Sequence, residues 1–241
     1  MKKQTGFTIV ELIIVVVVIG ILAAVTAVSY SSLNERARLS AARAFAVQLE
    51  KKHLPYAEGY WQFDECSGTA VSSQTEITST ITGTLAWSTE SPTGSGGCSG
   101  SFNGATRIRT TAAISSDYYL KAAWIKFNAC GNNNIASAPD SGGVDAAFYI
   151  PNCRLFAGHE GSYGRISSYE TLKANTWYHV AVEFDNGTYT LDLDGKKIRD
   201  SPNQPLITGT GAGVNIGAHR TGSYFNGLMD NVLIVGKRPE F

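Results

Sequence analysis

From Phe7 to Val28 the chain runs through 22 residues that carry a single charged side chain, Glu11. As a helix rising about 1.5 Å per residue, this stretch is about 33 Å long, enough to cross a bilayer. Nothing else in the sequence constrains the fold so strongly. Lys2 and Lys3 precede the run and place the N-terminus on the cytoplasmic side. One reading is a signal peptide cut after Ala27, where Val25-Thr26-Ala27 loosely matches a small-residue site. The run exceeds the usual 7–15 apolar residues of such peptides and contains an acid. A plain membrane anchor explains the length and leaves Glu11 without a purpose. An acid in an apolar core costs about 2–3 kcal/mol on insertion scales, so it ordinarily has a functional partner.

Gly6-Phe7-Thr8-Ile9-Val10-Glu11 resembles the processing site of type IV prepilins and pseudopilins, with a short basic leader, Gly before the cut, Phe after it and Glu at the fifth mature position. The resemblance covers roughly residues 1–54. It implies cleavage after Gly6 by a prepilin peptidase, N-methylation of Phe7, and packing of the freed helix in a filament core. The new α-amine of Phe7, with a reference pKa near 8, is a natural partner for Glu11 of a neighbouring subunit. Breaking such a buried pair costs about 3–5 kcal/mol. Gly20 lies in mid-helix, where glycine weakens helix by about 1 kcal/mol relative to alanine. Pilin helices often loosen in this region, but many carry a proline that this sequence lacks before Pro55.

The helix is expected to continue to Pro55, because the segment after the membrane run is rich in helix formers and has no Gly or Pro. Leu33, Ala37, Ala41, Ala44 and Val47 form one stripe at helical spacing. Leu39, Ala42, Ala46 and Leu49 form another on roughly the opposite side. Two stripes predict two neighbours, the chain's own head and adjacent subunits. Arg36, Arg38 and Arg43 between them read as solvated or paired surface. Lys51, Lys52 and His53 suit a helix C-terminus.

After Tyr56 the period changes to two. Tyr178, Val180, Val182 and Phe184 alternate with Trp177, His179, Ala181 and Glu183; Asn186-Gly187 and Asp194-Gly195 supply tight-turn signals around a second alternating run. "YYLKAAWIKFN", "AAFYI", "GVNIGAH" and "GLMDNVLIVGK" read as further strands. Many short strands with turn signals favour a β-sandwich. The fold class is therefore α+β: a long N-terminal stem helix and an all-β antiparallel head. The expected boundaries are a leader at 1–6, a helix at 7–55 with its membrane part at 7–28, and a head at 56–241.

The order "YWQFDECSG", "GSFNGATRIRT", "YYLKAAWIKFN", "NTWYHVAVEFDNGTYTLDLDGKKI", "VNIGAH", "YFNGLMDNVLIVGK" resembles a laminin-G-like, or concanavalin A-like, jelly roll over most of residues 56–241. That family implies two packed antiparallel sheets, binding of glycans or proteins, and in some members a calcium ion. The pieces that carry Asp64, Asn103 and Asp230 are where the family often places acids or amides near its ion. Calcium wants six to eight oxygens, so three residues make an incomplete set. Four cysteines beyond a membrane segment suit an oxidising compartment. Cys66 follows the first strand and Cys98 precedes "GSFNG"; Cys130 ends one strand and Cys153 follows another. In the resembled scheme this favours Cys66–Cys98 and Cys130–Cys153 among three connectivities, each worth about 3 kcal/mol.

Charge and motif exclude other classes. Lys plus Arg equals Asp plus Glu at twenty each; removing Lys2 and Lys3 leaves eighteen bases (20 − 2) against twenty acids, so bulk charge does not point to nucleic acid. Some relatives of the fold are glycosidases, and Glu183 and Asp185 share one strand face. The third acid of their pattern is replaced by Asn186, Gly187 and Thr188, so no catalysis is expected. The four histidines lack metal-type spacing. "TGTGAG" near residue 210 lacks the lysine and helix of a phosphate loop and reads as a turn. Tyr163, Tyr169 and Tyr224 are possible stacking platforms for a glycan.

Together these readings describe a type IV pilin-like subunit of a surface filament with a head for adhesion, a minor or tip position being one placement such a head suits. Expected partners are other pilin subunits, a prepilin peptidase, the inner-membrane assembly platform and a glycan or protein receptor. The expected location is the inner membrane and then the extracellular pilus. A pseudopilin of a type II secretion or DNA-uptake machine is the alternative. A secreted or anchored glycan-binding protein or glycosidase is the alternative of another class.

Overall fold

The computed structural model describes residues 8–92, 97–139, 144–209 and 212–239. Gly6 and Phe7, and the Thr210–Gly211 part of the glycine-rich stretch, lie outside these residues. One helix, α1, spans Ile9–His53 and is continuous through Gly20. A 3-10 turn at Leu54–Tyr56, with Pro55 in it, ends the helix and starts the first strand.

Contacts divide the chain into two units, Met1–Ser40 and Ala41–Phe241. In the first, Ile9–Thr26 is long and apolar enough to cross a membrane, and its large apolar side chains are exposed on every side. The Thr26 hydroxyl donates to the Leu22 carbonyl at 2.7 Å, so this polar group is satisfied within the helix.

The second unit is a sandwich of sixteen short strands among the described residues. They are β1 (Ala57–Trp61), β2 (Ser79–Thr82), β3 (Ala86–Ser88), β4 (Ser99–Asn103), β5 (Arg107–Ala113), β6 (Tyr118–Phe127), β7 (Asn133–Asn134) and β8 (Ala136–Ser137). Then come β9 (Ala146–Ile150), β10 (Phe156–His159), β11 (Ser162–Ser167), β12 (Tyr178–Asp185), β13 (Thr188–Leu193), β14 (Lys196–Ser201), β15 (Ala212–Ile216) and β16 (Asn226–Val235). One layer is an eight-stranded sheet in the order β14-β13-β12-β6-β16-β4-β3, with β1 also on β16. β6 takes one edge of β16. The other edge is shared end to end, with Asn226–Met229 on β4 and Val232–Val235 on β1. The exchange occurs at a bulge, where Asn231 has φ 47°. Two four-stranded sheets, β11-β10-β9-β7 and β2-β5-β15-β8, contribute the rest of the core.

The expected hairpins are present. Asn186 and Gly187 have φ 46° and 84°, Asp194 and Gly195 51° and 79°, the left-handed pairs that a two-residue turn between twisted strands requires. At Gly195 a Cβ would also fall 2.7 Å from the Cβ of Phe45.

One expectation needs refinement. A strand with one apolar face predicts one buried face, yet β6 and β12 are buried on both. Tyr119, Ala123, Ile125 and Phe127 enter the main core. Tyr118, Leu120, Ala122 and Ala181 form a second cluster on the opposite side, with Leu49 and Leu54 packed against it. The covering element is the last part of α1. Ala42 and Ala46 are fully buried, whereas Ala41, Ala44 and Val47 are exposed. The stripe containing Ala42, Ala46 and Leu49 thus meets the chain's own sheet.

Candidate functional site

Glu11 closes the N-terminal end of α1. Its Oε2 accepts from the Thr8 backbone N–H and from the Thr8 hydroxyl, both at 2.8 Å, and the Thr8 hydroxyl oxygen accepts the Glu11 N–H at 3.3 Å. This is a capping box, two reciprocal bonds that satisfy otherwise unpartnered helix-end donors. This local role stands beside the intermolecular partner expected for Glu11 from the sequence. The signal was present as Thr8-x-x-Glu11, a Ser/Thr-x-x-Glu pattern before an apolar run.

The four cysteines form Cys66–Cys98 and Cys130–Cys153, with Cα–Cα distances of 5.4 and 4.9 Å. The first ties the end of the β1 segment to the approach to β4. The second joins the segments that follow β6 and β9.

The residues expected around calcium do not converge as a set. Burial pushes the Asp230 carboxyl up to about 7, with the neighbouring charge of Asp64 adding to the rise, and Asp230 accepts from the Ser91 hydroxyl at 2.9 Å. Asp64 accepts from the Cys98 N–H. Asn103, however, pairs with Asn226, four residues along β16 from Asp230 and hence about 13 Å away. Its Oδ1 accepts from the Ala105 N–H and the Thr106 hydroxyl, which fixes a tight turn. Three oxygens so separated do not make one donor shell. Among the described residues no group of three or more His, Cys, Asp or Glu is placed to hold a metal ion. Glu183 and Asp185 are each engaged, by the Tyr118 hydroxyl at 2.9 Å and by Arg238.

A buried polar chain crosses the core. Lys121 Nζ donates to the Ala136 and Ala146 carbonyls at 3.0 and 2.9 Å, and burial pulls its ammonium down to about 7. The Tyr119 hydroxyl donates to Tyr189, whose hydroxyl lies 2.6 Å from His159 Nδ1. Alternation in "YYLKAAWIKF" puts Lys121 on the core side with Tyr119 and Ala123, which is the sequence signal for this buried lysine.

The sandwich also carries a small pocket of about 130 Å³ at the sheet β11-β10-β9-β7. Along β9, Ala146, Phe148 and Ile150 enter the core while Ala147 and Tyr149 line this pocket. Tyr163 of β11 reaches it because β10 and β11 pair through a bulge at Gly158, where a Cβ would lie 2.2 Å from the Ser162 carbonyl oxygen. Asn132, Asn134, His219 and Ser223 complete the lining. Each wall is held from behind. The Tyr163 hydroxyl donates to Asp145 at 2.7 Å, and its ring meets His219 edge-on at 4.9 Å between centroids. His219 Nε2 and the Arg220 guanidinium reach the same carboxylate at 3.3 and 3.2 Å. Asn134, almost wholly buried, donates to the Ser223 carbonyl and accepts from the Ser137 hydroxyl. Of the three tyrosines singled out from sequence, only Tyr163 lines this pocket. Tyr169 lies under the Arg199 guanidinium, and the Tyr224 hydroxyl donates to the Thr221 carbonyl.

Two family profiles match the chain. Residues 1–27 match the prokaryotic N-terminal methylation motif, and residues 99–238 match the concanavalin A-like lectin/glucanases superfamily. Comparison with curated proteins gives no match. Among solved structures, domain 4 of AbnA, an extracellular arabinanase of Geobacillus stearothermophilus in complex with arabinotriose, is similar at 20% identity and TM-score 0.56, over 75% of this chain and 92% of that one. The binding domain of botulinum neurotoxin serotype D is similar at 10% identity and TM-score 0.56, over 77% of this chain and 48% of that one. That of neurotoxin DC in complex with SialylT is similar at 11% identity and TM-score 0.54, over 77% and 49%. The chain spans about half the length of these neurotoxin domains. At such identities the likeness shows the fold alone.

Proposed function

The chain belongs to the concanavalin A-like lectin/glucanases superfamily, and from that premise, joined to its N-terminal methylation motif, we propose that it is a type IV pilin-like subunit of a cell-surface filament whose lectin-like head makes attachments. The carrying observation is the union in one chain of that motif, an apolar helix exposed on all sides over Ile9–Thr26, and a disulfide-tied sandwich. Helix surface of this kind is stable only in lipid or against other apolar helices. The precursor is held in the inner membrane. After cleavage behind Gly6 and methylation of Phe7, the helix moves into a filament core, where Glu11 meets the Phe7 amine of a neighbour. The exposed stripe Leu33, Ala37, Ala41, Ala44 and Val47 faces other subunits. The work is non-covalent and needs no cofactor. A glycan receptor is supported by the arabinotriose complex of the similar arabinanase domain and by the tyrosine-lined pocket.

Immunogold electron microscopy of sheared surface material tests the proposal. Label on long fibres, along the shaft or at the tip, is expected. Label confined to the envelope would contradict the fibre and favour a pseudopilin.

A further inference from the structure

Resting on the attachment reading above, we infer that the pocket lined by Tyr149, Tyr163, Asn132, Asn134, His219 and Ser223 binds the terminal residue of an uncharged glycan. Size is the first argument. About 130 Å³ holds one small ring and not a run of linked ones, so a chain end enters and the remainder stays in solvent. Chemistry is the second. Two phenol rings and an imidazole offer surface for the C–H faces of a sugar ring. Asn132 donates to the Ser223 hydroxyl at 3.0 Å, which leaves the Asn132 amide oxygen, its second amide hydrogen and the Ser223 hydroxyl hydrogen as directional partners for the sugar's hydroxyl groups, with Asn134 holding the Ser223 backbone in place.

Charge is the third argument. The carboxylate beside the pocket, Asp145, already receives the Tyr163 hydroxyl and the Arg220 guanidinium. Asp145 offsets the Arg220 charge, so the rim has no surplus positive charge to draw an acidic sugar, whereas a neutral sugar needs none. Rigidity is the fourth. Tyr163 is fixed by Asp145 and His219, and Asn134 by Ser137 and Ser223. The walls are therefore ordered before the ligand arrives, and binding need not supply that ordering. Gly158 and Ala147 serve the same end: one lets β11 come close, and the other leaves the floor low.

The test uses the full mature chain in detergent on immobilised glycans ending in neutral pentoses or hexoses, in sialic acid, or in uronic acid. Binding to one or more neutral termini is expected. Tyr149→Ala and Asn132→Ala should each raise Kd at least about tenfold, with thermal melts near those of the unaltered protein. Tyr169→Ala, outside the pocket, should bind as before. Preference for acidic termini, or unchanged binding by both pocket variants, would overturn the inference. A chain that enters filaments normally yet binds none of these glycans would also overturn it and leave the filament assignment standing. Sugar binding through the pocket by a chain that never enters filaments would do the reverse.

Discussion

The two ends of α1 obey different rules. Between Ile9 and Thr26 the helix is apolar on every side apart from Glu11 and Thr26, and none of it is buried by the rest of the chain. Between Ala41 and His53 the helix is two-faced: Ala42, Ala46 and His53 are buried while Ala41, Ala44 and Val47 are not. A helix with an apolar stripe needs one partner surface, and here the fold supplies it. A helix that is apolar on every side needs an environment that the chain itself does not provide. The contrast explains why one secondary-structure element can be an anchor at one end and part of a domain core at the other.

Breaking the first end should have the largest effect. Glu11→Ala removes both the cap and the proposed partner of the Phe7 amine. Loss of a buried pair, about 3–5 kcal/mol, corresponds to a drop in assembly of about 100- to 4,000-fold, read as sheared filament mass. Glu11→Gln sharpens the point, because glutamine at this position sustains a capping box but carries no charge. If charge pairing dominates, Gln assembles as poorly as Ala. If Gln restores assembly, the local cap is the whole role of Glu11.

The second end should respond in stability. Ala46→Leu forces bulk between helix and sheet at a buried site and should cost about 1–3 kcal/mol, lowering the head's Tm by roughly 3–10 °C. Ala44→Leu, two residues earlier on the exposed stripe, should leave Tm unchanged and alter filament yield instead. Equal effects of the two substitutions on Tm would erase the distinction between the faces.

A smaller effect concerns acid. His179 lies edge-on between Phe45 of the helix and Trp124 of β6, and burial depresses its imidazole to about 3. The unfolded imidazole titrates near 6.5, so between pH 6.5 and 3 the unfolded chain binds the extra proton. This contribution to stability is therefore present above pH 6.5 and is lost as pH falls toward 3. Asp230 and Asp192, raised by burial to about 7 and 6, act oppositely: they favour the folded state increasingly as pH falls from those values toward 4. His179→Phe removes the proton uptake of the unfolded imidazole, so relative to the unaltered protein the variant's Tm should rise as pH falls from 6.5 toward 3, as followed by Tm against pH. A Tm profile identical in the variant would remove His179 from the account. Least of all, chelation of calcium should leave Tm unchanged, because the helix is docked by side-chain packing and the sheet by hydrogen bonds and disulfides.

Much of this was legible in the sequence, for reasons that differ by region. The turns at Asn186-Gly187 and Asp194-Gly195 were legible because a two-residue hairpin admits few residue types. The two helix stripes were legible from period alone, but period cannot say which stripe meets which partner; that depended on where Leu120, Ala122 and Ala181 lie on the sheet. The disulfide partners were reached through the resemblance, since spacing leaves three pairings open. The pocket was hidden because its walls come from the segment around β7, from β9 and β11, and from the turn around His219, segments as much as 91 residues apart, as the Asn132–Ser223 hydrogen bond shows. Asp64, Asn103 and Asp230 were grouped by analogy, and the register of β4 on β16 separates Asn103 from the other two.

The most direct measurement is the mass of the mature N-terminal peptide from surface material. The account predicts a chain that begins at Phe7 with a methylated amine. A chain that begins at Val28, or one that keeps Met1 through Gly6 while it is assembled at the surface, would contradict it.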